Sequence, residues 1–170
     1  MTNQPTDLHQ RLLALRDAVF QEWLTTVRAH VDCAQKLPTP VLVDTLPVFY
    51  EHLCAAGSGE CFDPGQSTLA SEHGGERARL TRYDVETVAH EFKLFRGAMF
   101  AAWHDAGIAL PPGQVARLDA LVDEAIRESI TGFVLTKAAA REQFIAAMAH
   151  DLRTQLSTAA MAVDQIAQAG

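Results

Sequence analysis

Apolar residues recur at three- and four-residue spacing along almost the whole chain, the period of one helix face, and alternating strand-like patterns are almost absent. Leu8, Leu12, Leu15, Val19, Trp23 (with Leu24) and Val27 predict one amphipathic helix running from Asp7, its N-cap, to about residue 32. Leu37-Pro38-Thr39-Pro40 ends it. Thr39 is expected to cap a second helix, with Pro40 at its first position and Val43, Leu46, Phe49, Tyr50 and Leu53 as its apolar stripe. Pro47 is expected to kink that helix. Residues 57–65 read as a loop. A third, more polar helix is expected over residues 66–80, weakened in its middle by Gly74-Gly75. Asp84 caps a fourth, whose stripe of Val85, Val88, Phe92, Phe95, Met99, Phe100 and Trp103 predicts core and which stops at Ala106-Gly107.

Leu110-Pro111-Pro112-Gly113 is the next punctuation, and nothing clearly interrupts the helical pattern after it. Leu118, Val122, Ile126, Ile130, Phe133, Lys137, Ala140 and Phe144 approximate a heptad seam, with Thr131-Gly132 the expected bend. A continuous helix of roughly 55 residues would span about 80 Å, too long to bury both ends in one small globule. Its C-terminal part is therefore expected to pair with a second copy. The expected architecture is all-α: a helical bundle over residues 1–130, then a signalling helix over 131–170.

Charge narrows the partners. Against 21 Asp and Glu stand 14 Lys and Arg, a net charge of −7, which argues against binding a phosphate backbone. Three cysteines (Cys33, Cys54 and Cys61) make no disulfide framework and suit a reducing compartment. No apolar run nears the roughly 18 residues that a membrane span needs, and the first residues lack the pattern of a signal peptide. A cytoplasmic protein is expected. The acidic group Asp119, Asp123, Glu124 and Glu128 reads as a solvated helix face.

Candidate chemistry concentrates near residue 150. Phe144-Ile145-Ala146 leads into His150-Asp151-Leu152-Arg153-Thr154-Gln155-Leu156, all within helical periodicity. A nucleophilic imidazole needs one nitrogen free, and a neighbouring carboxylate favours that state. Thr154 lies four residues on, on the same helix face, where its hydroxyl can orient a water; Arg153 flanks. Ala147, Met148, Leu152, Leu156 and Met161 are assigned to the seam. From Arg141 to Met161 this stretch resembles the phosphoacceptor box of two-component sensor histidine kinases. The resemblance implies that His150 accepts the γ-phosphoryl of ATP and that Asp151 assists proton removal. It also implies that Thr154 helps a receiver domain lose its phosphate. Gln155 stands where that family usually has proline, which puts the helix bend in doubt. ATP and Mg²⁺ would belong to a kinase domain outside this sequence, so the chain alone is not catalytically complete. The partners implied are a second copy through the long helix and a response regulator receiver.

A fainter constellation precedes it: His73-Gly74-Gly75-Glu76-Arg77, then Tyr83-Asp84, then Glu91-Phe92-Lys93-Leu94-Phe95-Arg96. Over about residues 8–135 it resembles the N-terminal sensor domains of RsbR-type stressosome proteins and some soluble histidine kinases. That resemblance implies a globin-like, dimeric helical domain, usually without haem. His73 and Arg77, one turn apart, share a face, and Glu91 is expected to pair with Arg77 or Arg96 across helices. These residues read as a buried polar tie fixing the helix packing, with ligand sensing the alternative. His52, His73, His90 and His104 are weighed as haem ligands, and His30 with Cys33 or His52 with Cys54 as metal pairs. With 7 histidines in the chain, chance placement accounts for the first set, and the pairs lack a second ligand pair at useful spacing, so no cofactor or metal is assigned. The alternative function is a non-catalytic dimeric interaction or sensor protein in which His150 is unused.

Overall fold

The computed structural model describes residues 5–59, 68–80 and 82–169. Most of the expected loop over residues 57–65, with Cys61, lies outside them, as does the expected start of the third helix. Among the described residues every regular element is helical: α1 (Pro5–Leu13), α2 (Arg16–His30), a 3₁₀ turn (Asp32–Ala34), α3 (Thr39–Val43), α4 (Leu46–Gly57), α5 (Leu69–Arg79), α6 (Val85–Asp105) and α7 (Pro112–Ala169). The protein is an all-α helical bundle with a long C-terminal helix. No described helix is long and apolar enough to cross a membrane.

Two expected helices are each broken in two. The first stops after Leu13, and Asp7 sits inside its first turn rather than ahead of it. The Leu12 carbonyl accepts the Leu15 N–H at 3.1 Å and the Tyr50 hydroxyl at 2.6 Å, which tightens the chain there into a turn. The second expected helix ends at Val43. Pro47 has no N–H to give the Val43 carbonyl four residues back, and its ring would collide with it. The proline that was expected to kink the helix therefore serves as an early residue of α4 instead. Between the two halves Asp44 takes φ +43° and ψ −120°, the only positive φ at a non-glycine residue described. Thr39 does not cap α3. Pro38 holds that position, and the Thr39 hydroxyl accepts from Arg28 at 2.9 Å. Asp84 does cap α6, its carboxylate accepting the Thr87 N–H at 2.8 Å, and Gly107 (φ +69°) turns the chain after it.

The chain divides into two compact units, Met1–Val134 and Leu135–Gly170. In the first, the aromatic stripe of α6 is core: Phe92, Phe95 and Trp103 are buried with Trp23, Tyr50 and Leu53. The rings meet edge to face, as in Trp23–Phe95 at 6.0 Å and Tyr50–Phe95 at 6.4 Å between centroids. Leu118, Val122 and Ala125 of α7 close this core. A smaller satellite core joins Ala78 of α5, Tyr83, Val88 of α6 and Phe133 of α7, with Cys33, Leu37 and Leu80 packed against it.

The crossing of α5 and α7 depends on glycine. A Cβ on Gly74 would lie 1.8 Å from the Ser129 carbonyl oxygen, and one on Gly132 would lie 2.2 Å from that of Ser71. The pairs 71 with 132 and 74 with 129 run in opposite senses, so the two helices cross antiparallel, backbone against backbone. Gly132 is a packing position inside a continuing helix, and Gly74, where a weakness was expected, is a contact.

Candidate functional site

Two places carry candidate chemistry. The first is buried. Arg77, fully enclosed, donates through Nε to Glu91 Oε2 at 2.8 Å, through Nη1 to the Val41 carbonyl at 2.9 Å and through Nη2 to the Leu42 carbonyl at 2.6 Å. The turn at Asp44 leaves the last carbonyls of α3 without helical partners, and a guanidinium supplies the missing donors. Glu91 is equally enclosed. Its Oε2 also meets His73 Nε2 at 3.3 Å, its Oε1 accepts from the Tyr83 hydroxyl at 2.8 Å, and its backbone carbonyl accepts from Trp23 Nε1 at 3.2 Å. His73 Nδ1 stands 3.4 Å from Asp44 Oδ2, an ion-pair distance without hydrogen-bond alignment, and neither atom has another hydrogen-bond partner. The Arg77 guanidinium lies 5.5 Å from the centre of the Tyr83 ring.

Burial works to raise the Glu91 carboxyl, but His73 and Arg77 outweigh it and hold the group below the usual carboxylate range. Asp44 is held low chiefly by its contact with His73. Burial, with the Glu91 charge second, pushes the Tyr83 phenol well above its ordinary value. Burial also raises the Cys33 thiol, partly offset by the Tyr83 hydroxyl beside it. Of the two pairings open to Glu91, Arg77 is the one formed. Arg96 points elsewhere, to Asp123 at 3.0 Å and Asp119 at 3.5 Å, so the expected solvated acidic face is partly engaged. Arg77, Glu91 and His73 are at most 1% exposed, so these three side chains touch no solute directly. It ties α3, α5 and α6 together. Asp44 and Cys33 were not among the residues singled out from sequence for this group. The signal for Asp44 was available in Pro47, which forces the helix to end just where an acid is placed.

The second place is the exposed half of α7. Residues 137–162 are all exposed. At about 100° per residue, Phe144, Ile145, Met148, Leu152 and Leu156 form one apolar stripe, each between 49% and 70% exposed. His150 and Thr154 lie roughly opposite that stripe. Met161, assigned to the seam from sequence, falls on the His150 side. The Thr154 hydroxyl donates to the His150 carbonyl at 3.0 Å, leaving its lone pairs outward. Asp151 is about a quarter turn from His150, as expected of adjacent helix positions. Helix α7 continues through Gln155 without a break.

Of the histidines weighed as ligands, His90 lines a surface cavity, His104 is exposed and His52 is partly buried, its pKa lowered by that burial. Among the described residues no three His, Cys, Asp or Glu side chains are grouped to hold a metal ion. No family model, curated protein or solved structure matches this chain.

Proposed function

We propose that the chain is the sensory and dimerising region of a two-component histidine kinase. In this reading an imidazole nitrogen of His150 attacks the γ-phosphorus of ATP, held with Mg²⁺ by a kinase domain outside the sequence, and ADP leaves. The phosphoryl group then passes to an aspartate of a receiver domain. The observation that carries the reading is the separation of faces on α7. The apolar stripe suits a second copy, which would leave His150 and Thr154 pointing outward, open to an incoming active site. Asp151 is placed to assist proton removal through a water, and Arg153 to neutralise phosphate charge. The bundle, with its buried His73–Arg77–Glu91 tie, serves as the sensor, in keeping with a globin-like stressosome-type domain. A cytoplasmic setting follows from this role.

The test supplies a kinase domain and Mg-ATP to the wild type and to His150→Gln. Label is expected on the wild type alone, and equal label on both overturns the assignment. Leu152→Glu, which puts a charge in the stripe, is expected to shift the protein from dimer to monomer in sedimentation.

One observation favours a second reading, a non-catalytic interaction protein assembled through the same stripe. The helix continues unbroken through Gln155, where the kinase box has proline. Under that reading Leu152→Glu still abolishes assembly, while the wild type takes no label.

A further inference from the structure

A cavity of about 740 Å³ opens between the corner joining α2 to the 3₁₀ turn and the start of α6, from Glu86 to Lys93, with Arg82 ahead of it. That is within the range of small-molecule sites. Its polar lining is dominated by nitrogen donors. Arg82 and Lys93 bring fixed positive charge, and His30 and His90 bring imidazoles, against the carboxylates of Asp32 and Glu86. Neither Arg82 nor Lys93 forms an ion pair among the described residues, whereas Arg16, Arg77, Arg79, Arg96 and Arg127 all do. The stripe of α6 that lines the cavity, Glu86, Ala89, His90 and Lys93, follows helical spacing, so these groups face it together. In a chain of net charge −7, two cations and two imidazoles stand around one concavity against two carboxylates, so its lining carries no net formal negative charge.

The cavity also has a wall in common with the machinery described above. Cys33 lines it and packs against the satellite core that holds Tyr83 and Phe133. Tyr83 donates to Glu91 of the buried tie, and Phe133 belongs to α7. A molecule seated here would press on the side chains that set the position of α7 at Phe133.

We propose that this cavity binds a small anion bearing a carboxylate or phosphate group, held by Arg82 and Lys93, and that its occupancy is transmitted through Cys33 and Tyr83 to Phe133. The binding itself does not depend on the kinase reading.

The test is a titration of the whole chain with inorganic phosphate and, separately, succinate at constant ionic strength, followed by amide chemical shifts. The wild type is compared with Arg82→Gln/Lys93→Gln and with Arg79→Gln, an exposed arginine outside the cavity. At least one anion is expected to give saturable shifts at His90 and Lys93, with Phe133 moving at the same midpoint. The double variant is expected to bind about tenfold more weakly for each charge removed, and Arg79→Gln as the wild type. Which anion saturates distinguishes a phosphate from a carboxylate ligand. Unsaturable shifts with both anions overturn the site, as do equal midpoints in wild type and double variant. Saturation at the cavity with Phe133 unmoved overturns the transmission. Unchanged dispersion of amide shifts in the free variants establishes that they are folded.

Discussion

Replacing Gly74 by alanine sets local propensity against packing. Alanine is favoured over glycine in a helix interior by about 1 kcal/mol, so propensity alone predicts a more stable protein. The structure predicts the reverse. The new Cβ would sit 1.8 Å from the Ser129 carbonyl oxygen, where a carbon and an oxygen need about 3.3 Å. The obstacle is backbone within α7, which cannot rotate aside, so α5 and α7 must part by more than an ångström along a crossing that also holds Gly132 against Ser71. Overpacking of this kind costs about 1–3 kcal/mol, and the rigidity of the obstacle puts Gly74→Ala at the upper end, a net loss of about 2 kcal/mol after the propensity gain. Gly97 of α6 is the control, because a Cβ there meets nothing within 4 Å. Gly97→Ala should gain about 1 kcal/mol. The two variants therefore differ by about 3 kcal/mol, or roughly 1–3 M in urea midpoint. Tryptophan fluorescence suits the assay because Trp23 and Trp103 both lie in the core of the first unit. A Gly74→Ala protein as stable as the wild type would refute the backbone contact.

Glu91→Gln should cost about 3–5 kcal/mol near neutral pH, because it leaves the Arg77 guanidinium buried without its counter-charge. The Glu91 pKa is lowered on folding, so its contribution is complete above the ordinary carboxyl value of 4.5 and is lost as pH falls through the lowered folded value. Acid titration of the variant should accordingly show a shallower loss of stability below about pH 4.5, and an unchanged slope would count against Glu91 as the titrating group. Tyr50→Phe removes the hydroxyl that donates to the Leu12 carbonyl at 2.6 Å and accepts from Trp103 Nε1 at 3.1 Å. The Trp103 N–H is left without its acceptor while the Leu12 carbonyl keeps the Leu15 N–H, for a loss of about 1–3 kcal/mol in urea unfolding; a loss under about 0.5 kcal/mol, the range of surface substitutions, would show that the hydroxyl is not the tie it forms here.

Much of the helical framework was legible because it rests on local rules. Asp84 and Gly107 bound α6 by side-chain capping and by a positive φ, both of which depend on residue type. The aromatic stripe of α6 announced the core through period alone. The breaks at Leu15 and Asp44 are of another kind. Ala14 and Leu15 leave the helix where the Leu12 carbonyl accepts a hydroxyl 38 residues away, which no local window contains. Pro47 marks the second break, but a proline can kink a helix or end it, and residue type alone does not decide between them. The buried tie was half visible. His73, Arg77 and Glu91 were named from spacing, yet the choice between Arg77 and Arg96 needed the turn at Asp44, which frees two carbonyls for Arg77 alone to fill. The crossing of α5 and α7 left a trace that propensity obscured. Ser71-x-x-Gly74 and Ser129-x-x-Gly132 are the same small-residue spacing on two helices, and that repeat is the signature of close approach rather than of weak helix.

That crossing has a mechanical consequence. Where helices meet through large side chains, a displacement of one is partly absorbed by rotamer changes before it reaches the other. Between Gly74 and Ser129, and between Gly132 and Ser71, the nearest atoms are backbone, with only the short Ser71 hydroxyl beside them. The joint is stiff in compression, so a push from α5 toward α7 is delivered nearly whole, as displacement of a backbone. It acts as a strut that passes thrust from α5 to α7.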